Sequence, residues 1–283
     1  MKNYLILFSL AFVVTNSCKN SEAISNSSVS DKMEVTSLEY RSYLDSLKAD
    51  GIFLLLDLKT NKLIEYRGLS KDTMLIPAST FKIPNSLIGL ETGILKNEMS
   101  EFKWNGTTYQ NQAWNKDQNL KEAFQNSTVW YFQELARKIG EKHMKKYLAQ
   151  FKYGNQNTGG GIDQFWLSGD LRISPLQQLE FLKSLWNEEL KLSKKTTRTM
   201  KKVFTVEKRG GATLYAKTGW GFTDGNDIGW YMGVVENEKS TYLFVHVLVS
   251  NDSRLEYFGE SRKSISRKIL AEKGIYCLNC NAF

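Results

Sequence analysis

Two hydrophobic periods divide this chain, and their order restricts the fold more than any other feature. From Thr80 to about Phe204 apolar residues return at helical spacing. Val129, Phe132, Ala136 and Ile139 share one face up to Gly140, which reads as a stop, and Met144, Tyr147, Leu148 and Phe151 follow. Ser174-Pro175 is an N-cap and first-turn pair for a further helix carrying Leu176, Leu179 and Trp186. On either side the pattern is that of strands. Ile52 to Leu58 and Leu63 to Arg67, joined by Lys59-Thr60-Asn61-Lys62, read as a hairpin, and Thr213 to Lys217, Ile228 to Val235 and Thr241 to Ser250 are β-branched and aromatic. Tyr40, Tyr43, Leu44 and Leu47 predict a helix over 37–49 that Gly51 ends, and a final helix is predicted over Glu260 to Lys273. Strands at both ends with helices between them imply an α/β fold: one antiparallel sheet flanked by helices, its two sequence halves separated by a large helical insertion. The division expected is a sheet part, 36–75 with 205–283, and a helical part, 76–204, with the site in the groove between them.

The N-terminus bears on compartment. Residues 1–17 combine Lys2, a run from Tyr4 to Val14 that is apolar apart from Ser9, and a polar end, which reads as a secretory signal too short to cross a bilayer comfortably. Export to the periplasm is the expectation. Cys18 after Ser17 resembles the lipid-acceptor cysteine of bacterial lipoproteins, with Thr15 where an aliphatic residue is usual, so Cys18 is a candidate lipid anchor and 18–35 a solvated tether. Outside the cytosol Cys277 and Cys280 are candidates for a local disulfide, leaving a terminal clip or two free thiols. Three cysteines and two histidines in 283 residues cannot supply a four-ligand Cys/His centre, so no metal is expected. The 38 Lys+Arg against 30 Asp+Glu, net +8, are spread along the chain, and nucleic acid is not an expected partner.

Neither histidine sits in a nucleophile motif, and Gly-x-Ser-x-Gly, His-Glu-x-x-His and Gly-x-x-x-x-Gly-Lys-Ser/Thr are all missing. His246 falls in a strand apolar on both faces and reads as a packed histidine; His143 reads as a helix-surface residue. What stands out is Pro77-Ala78-Ser79-Thr80-Phe81-Lys82-Ile83-Pro84-Asn85, framed by two of the chain's three prolines. Ser79 and Lys82 at i and i+3 share a helix face, so the amine can reach the hydroxyl. With the helix starting near Ser79, Pro84 falls close to the first turn, where a missing N–H costs little. Taken alone, Ser-x-x-Lys recurs by chance. Its company is informative: Ser127-Thr128-Val129 at a helix start, then Lys217-Thr218-Gly219 at a strand end, where a cation, a hydroxyl and an uncrowded backbone can bind a carboxylate and a carbonyl.

Those three motifs in that order resemble the penicillin-recognising serine enzymes. Val129 in third place, Tyr153-Gly154-Asn155, Phe165-Trp166-Leu167 and the block at 77–85 resemble class D serine β-lactamases, the oxacillinase type, from about Gly51 to Ile275. The resemblance implies hydrolysis of β-lactam antibiotics through an acyl-serine, with Ser79 as nucleophile and Lys82 carboxylated by CO2 or bicarbonate as general base. It places Ser127 and Lys217 in the proton path, Thr218 and Gly219 along the substrate, and Arg262 on the substrate carboxylate. The amides of Ser79 and Trp220 would form an oxyanion hole, and Phe81, Val129 and Trp166 would surround the carboxylated lysine. No separate cofactor is implied. A β-lactam sensor that acylates once, or a cell-wall transpeptidase or carboxypeptidase, shares the framework; sustained turnover of a cephalosporin and release of D-Ala from a D-Ala-D-Ala peptide separate the three.

Overall fold

The computed structural model describes residues 33–35, 38–252 and 258–280; the signal, Cys18 and the expected tether up to residue 32 lie outside them, while Met33–Val35, expected as the tether's end, is a strand paired with Leu63–Glu65. The elements run β1 (Met33–Val35), α1 (Leu38–Ser46), β2 (Asp50–Asp57), β3 (Lys62–Arg67), α2 (Lys82–Glu91), β4 (Glu101–Phe102), β5 (Gln118–Asn119), α3 (Leu120–Gln125), α4 (Val129–Phe151), α5 (Pro175–Trp186), α6 (Lys194–Phe204), β6 (Thr205–Arg209), β7 (Ala212–Thr223), β8 (Asn226–Glu236), β9 (Thr241–Ser250) and α7 (Phe258–Glu272). Seven strands form one sheet in the order β1-β3-β2-β9-β8-β7-β6. Every neighbouring pair is antiparallel except β1 and β3, which run parallel at the edge. The two sequence halves join where β2 pairs with β9, from Asp50↔Val249 to Asp57↔Tyr242.

Alternation along the strands sends residues to two cores. Ile52, Leu54, Leu56, Trp230, Met232, Val245 and Val247 pack on one face against the helices between β3 and β6. Phe53, Leu55, Leu214, Tyr231, Phe244 and Leu248 pack on the other with Tyr40 and Leu44 of α1 and Ile265, Ile269 and Leu270 of α7. Because β2, β8 and β9 are covered on both faces, they read as continuous apolar runs.

Local details differ from the periodicity in four places. Gly51 does not end α1; it lies in β2, where a Cβ would sit 2.6 Å from the Val247 carbonyl oxygen. Gly140 interrupts α4 with φ 73 and ψ 160 rather than ending it. Ser79 lies in a 3-10 turn, Ala78–Phe81, and the α-helix proper begins at Lys82. Lys217-Thr218-Gly219 is inside a strand rather than at its end, because β7 runs on to Thr223 and returns through Asp224-Gly225 into β8. The Ser174 cap is as expected and is completed by Gln177, each side chain bonding the other residue's backbone N–H.

Candidate active site

The turn carrying Ser79 is fixed before any side chain reaches it. Leu75 and Ile173 exchange backbone hydrogen bonds, the Ala78 amide donates to the Trp166 carbonyl, and the Trp230 indole donates to the Ile76 carbonyl at 2.9 Å. A buried polar chain underlies it: Tyr153 Oη donates to Gln178, Gln178 Nε2 to Thr80 Oγ1, and Thr80 Oγ1 to the Pro77 carbonyl. Ala78 takes the left-handed conformation, φ 49, which costs free energy in a residue with a Cβ and needs such over-determination to persist. The result is a half-buried Ser79 whose hydroxyl lies 2.8 Å from Lys82 Nζ.

Lys82 is wholly buried. Desolvation first, and the neighbouring Lys217 second, push its pKa well below the ordinary lysine value, which favours the uncharged amine. The Phe132 ring lies 5.3 Å beneath Nζ, and Phe81 stacks on Trp166 at 5.1 Å. A second pair faces the first: Lys217 Nζ donates to Ser127 Oγ at 2.9 Å and to the Thr218 carbonyl at 3.1 Å. Burial, with Arg262 and Lys263 adding repulsion, brings Lys217 down to about 7. Ser127, at φ 55, sits in the short link between α3 and α4, aimed by a strained backbone rather than by a helix face. A cavity of about 430 Å³ opens at Lys217, lined also by Phe124, Thr218, Lys263 and Arg267. Gly219 is where β7 meets the serine turn; a Cβ there would lie 3.0 Å from the Pro77 carbonyl oxygen and 3.3 Å from the Thr80 amide nitrogen.

A serine beside a buried lysine of lowered pKa, faced by a second lysine–serine pair, is a nucleophile with two proton carriers. Residues 51–271 match the family model of the penicillin binding protein transpeptidase domain. Beta-lactamase OXA-5 of Pseudomonas aeruginosa is 41% identical over 242 residues, covering 84% of this chain and 89% of that protein. The crystal structure of a class D beta-lactamase from Sebaldella termitidis superposes with TM-score 0.83 at 34% identity, covering 88% of this chain and 100% of that one. The chain belongs to the class D β-lactamases. The regulatory protein BlaR1 of Bacillus licheniformis is also similar, 36% identical over 84% of this chain and 39% of that protein, so class D β-lactamases and this regulatory protein share sequence over one region.

In this class D β-lactamase, Ser79, Lys82, Ser127, Lys217 and Gly219 come together as described. Arg262 is buried on α7, its guanidinium 5.5 Å from the Trp220 ring; burial lowers its pKa to about 10, which leaves it charged at neutral pH. Trp220 lies within β7 rather than at a strand end, 49% exposed, with Nε1 donating to Asp227 Oδ1 at 2.7 Å. Val129 is half-buried at the first position of α4. His246 is packed, its Nδ1 near the Arg262 carbonyl and Ser266 Oγ, and His143 is exposed.

Sequence patterns missed several contributors. Phe132 under Lys82 was visible only as one of the Val129 face, and Phe124, 5.6 Å from Lys217 Nζ, only as an apolar residue before Ser127. Thr80, Gln178 and Asp227 gave no signal, because each acts through a contact with a residue distant in sequence or in the opposing strand. Tyr153-Gly154-Asn155 is a docking loop: Asn155 bonds the Arg172 amide and the Asp170 carbonyl, and Gly154, at φ 54, has no room for a Cβ against the Arg172 carbonyl.

Proposed function

We propose that this chain opens the amide of β-lactam antibiotics through an acyl-serine intermediate on Ser79, with Lys82 as a carboxylated general base. One observation carries it: the wholly buried amine of Lys82, its pKa lowered by that burial, stands 2.8 Å from the Ser79 hydroxyl. A neutral amine adds to CO2, whereas an ammonium does not. The surroundings fit the modified side chain, since the charge acting on Lys82 is the cation Lys217, which disfavours an ammonium and favours an anion in the same place. Carboxylation would supply an oxygen base for the Ser79 proton and later for the hydrolytic water. The Trp166 indole is the donor assigned to hold it.

The other roles follow from position. Ser127 and Lys217, bonded to each other, move the proton toward the leaving nitrogen. The amides of Ser79 and Trp220 receive the developing oxyanion, and loss of one such donor costs about 10²–10³ in rate in other hydrolases. Thr218 and Gly219 lie along the substrate. Arg262 takes the substrate carboxylate; its Nε and Nη1 make no hydrogen bond among the described residues, which leaves donor capacity on the guanidinium. The compartment proposed is outside the cytosol, with Cys18 as a lipid tether, and labelling with a fatty-acid analogue should mark the wild-type chain and not Cys18→Ser.

The test is hydrolysis of excess chromogenic cephalosporin with and without bicarbonate. Turnover is expected to fall on bicarbonate depletion and return on its addition, and Lys82→Ala should lose about 10³-fold or more. Full turnover by Lys82→Ala would remove the lysine from the mechanism. The similarity to BlaR1 favours a second reading, a penicillin receptor; a single stoichiometric burst without turnover would assign the chain to it.

A further inference from the structure

Arg262 presents a problem of orientation. Its Nε and Nη1 are buried with no hydrogen-bond partner among the described residues, so no hydrogen bond from either nitrogen to those residues fixes the plane of the guanidinium. A fork-to-fork contact with a carboxylate needs that plane set in advance, or part of the binding energy is lost in ordering it.

Two contacts are available to set it. The aliphatic stem passes Gly229, where a Cβ would lie 3.4 Å from Arg262 Cδ, and the guanidinium lies against the face of Trp220. Trp220 is itself half exposed and would be free to turn, but it is held on two sides. Phe258 packs against it at 5.6 Å, and its Nε1–H donates to Asp227 at 2.7 Å. Trp220 and Asp227 are on opposite arms of the β7–β8 hairpin, two registers apart and so on the same face, Trp220↔Gly229 and Phe222↔Asp227. Gly259 leaves the space for this arrangement, because a Cβ there would sit 2.8 Å from the indole Cζ3. A carboxylate at the indole N–H also pushes electron density into the ring and strengthens its attraction for a cation over the face.

We propose that Asp227 is a positioning residue for substrate recognition: it fixes the indole of Trp220, and that indole holds the Arg262 guanidinium in the orientation that meets the carboxylate of an anionic β-lactam. The inference rests on Arg262 being the carboxylate anchor. It assigns the hairpin side chains a part in ground-state binding, separate from the Trp220 amide and from the chemistry at Ser79.

The experiment measures kcat and KM for benzylpenicillin and for its methyl ester, which lacks the charge Arg262 would hold. Asp227→Ala should raise KM for the acid about three- to tenfold, the range of one cation–π contact, with kcat within about twofold and the ester's KM unmoved. Asp227→Asn keeps an acceptor oxygen and should return KM to within about twofold of wild type. Trp220→Phe removes the N–H and should reproduce the Asp227→Ala shift, with the double variant no worse than either single one. Equal shifts for acid and ester, additive shifts in the double variant, or no rescue by Asn would overturn the assignment. Arg262→Ala separates the layers. If it raises KM for the acid while Asp227→Ala does not, the positioning alone fails; if it leaves the acid unmoved, the carboxylate anchor fails and the positioning with it.

Discussion

Two lysines and a histidine show how burial sets chemistry one residue at a time. Lys82 is pushed well below the ordinary lysine value, Lys217 is brought down to about 7, and His246 is driven to about 4. In each case desolvation is the first cause; the lysines stand beside Ser79 and Ser127 in the site, while His246 stands beside Ser266 in the packing under α7. The native pKa of Lys217 lies below its unfolded value of 10.5, so from about pH 7 to about 10.5 the unfolded chain binds a proton that the native chain does not. Stability should therefore rise with pH across that window, by at most about 1.4 kcal/mol per pH unit from this group. Urea unfolding at pH 7.5 and pH 9.5 reads it out: Lys217→Met should lose that share of the gain, and an unchanged pH dependence would refute the assignment. His246 runs the same way at lower pH. Between about 6.5 and about 4 the unfolded chain alone is protonated, and stability falls as pH falls through that range. His246→Gln should flatten this limb in the same unfolding series run at pH 4.5 and 6.5.

At the scale of elements, β7 and the serine turn form one device. Ser-x-x-Lys is legible because i and i+3 share a face whether the turn is 3-10 or α, so misplacing the helix start by a turn left Ser79 and Lys82 paired. Lys-Thr-Gly is legible as residue types but not as position. Its glycine is required by the close approach of β7 to Pro77 and Thr80, which are far away in sequence. Gly219→Ala should push the strand from the turn; kcat/KM should fall about 10²-fold, as for other small misplacements at a reacting centre, with the melting temperature lowered by only a few degrees. A variant as active as wild type would show that the approach is not needed. The long β7–β8 hairpin escaped the sequence pattern because Gly219, Gly221 and Gly225 interrupt the β-branched run that marks a strand, and only pairing with β8 keeps the chain extended.

For the whole molecule, the sheet is closed by strands from opposite ends of the sequence, β2 on β9, and the helices between them supply the wall facing β7. The Cys277–Cys280 pair is a disulfide clip after α7, so of the alternatives open in the sequence the terminal clip is the one found. It lies against Gly210 in the β6–β7 turn, roughly 20 Å along the strand from Lys217. A loop this short removes little chain entropy, about 2 kcal/mol at most. Replacing both cysteines by serine should lower the melting temperature modestly and leave kcat/KM unchanged; a large loss of activity would mean the far end of β7 is coupled to the site.

The sequence by itself determined the order of strands and helices, the motifs at Ser79, Ser127 and Lys217, and the burial of His246, because periodicity and residue type are local properties. Only the tertiary structure decided which side chains meet: Phe132 beneath Lys82, Gln178 beneath Thr80, Asp227 behind Trp220 and Arg262. Those contacts join residues brought together by sheet pairing and helix packing, and the pKa values that make the lysines useful come from that packing, since desolvation is a property of the assembled surroundings and not of the side chain.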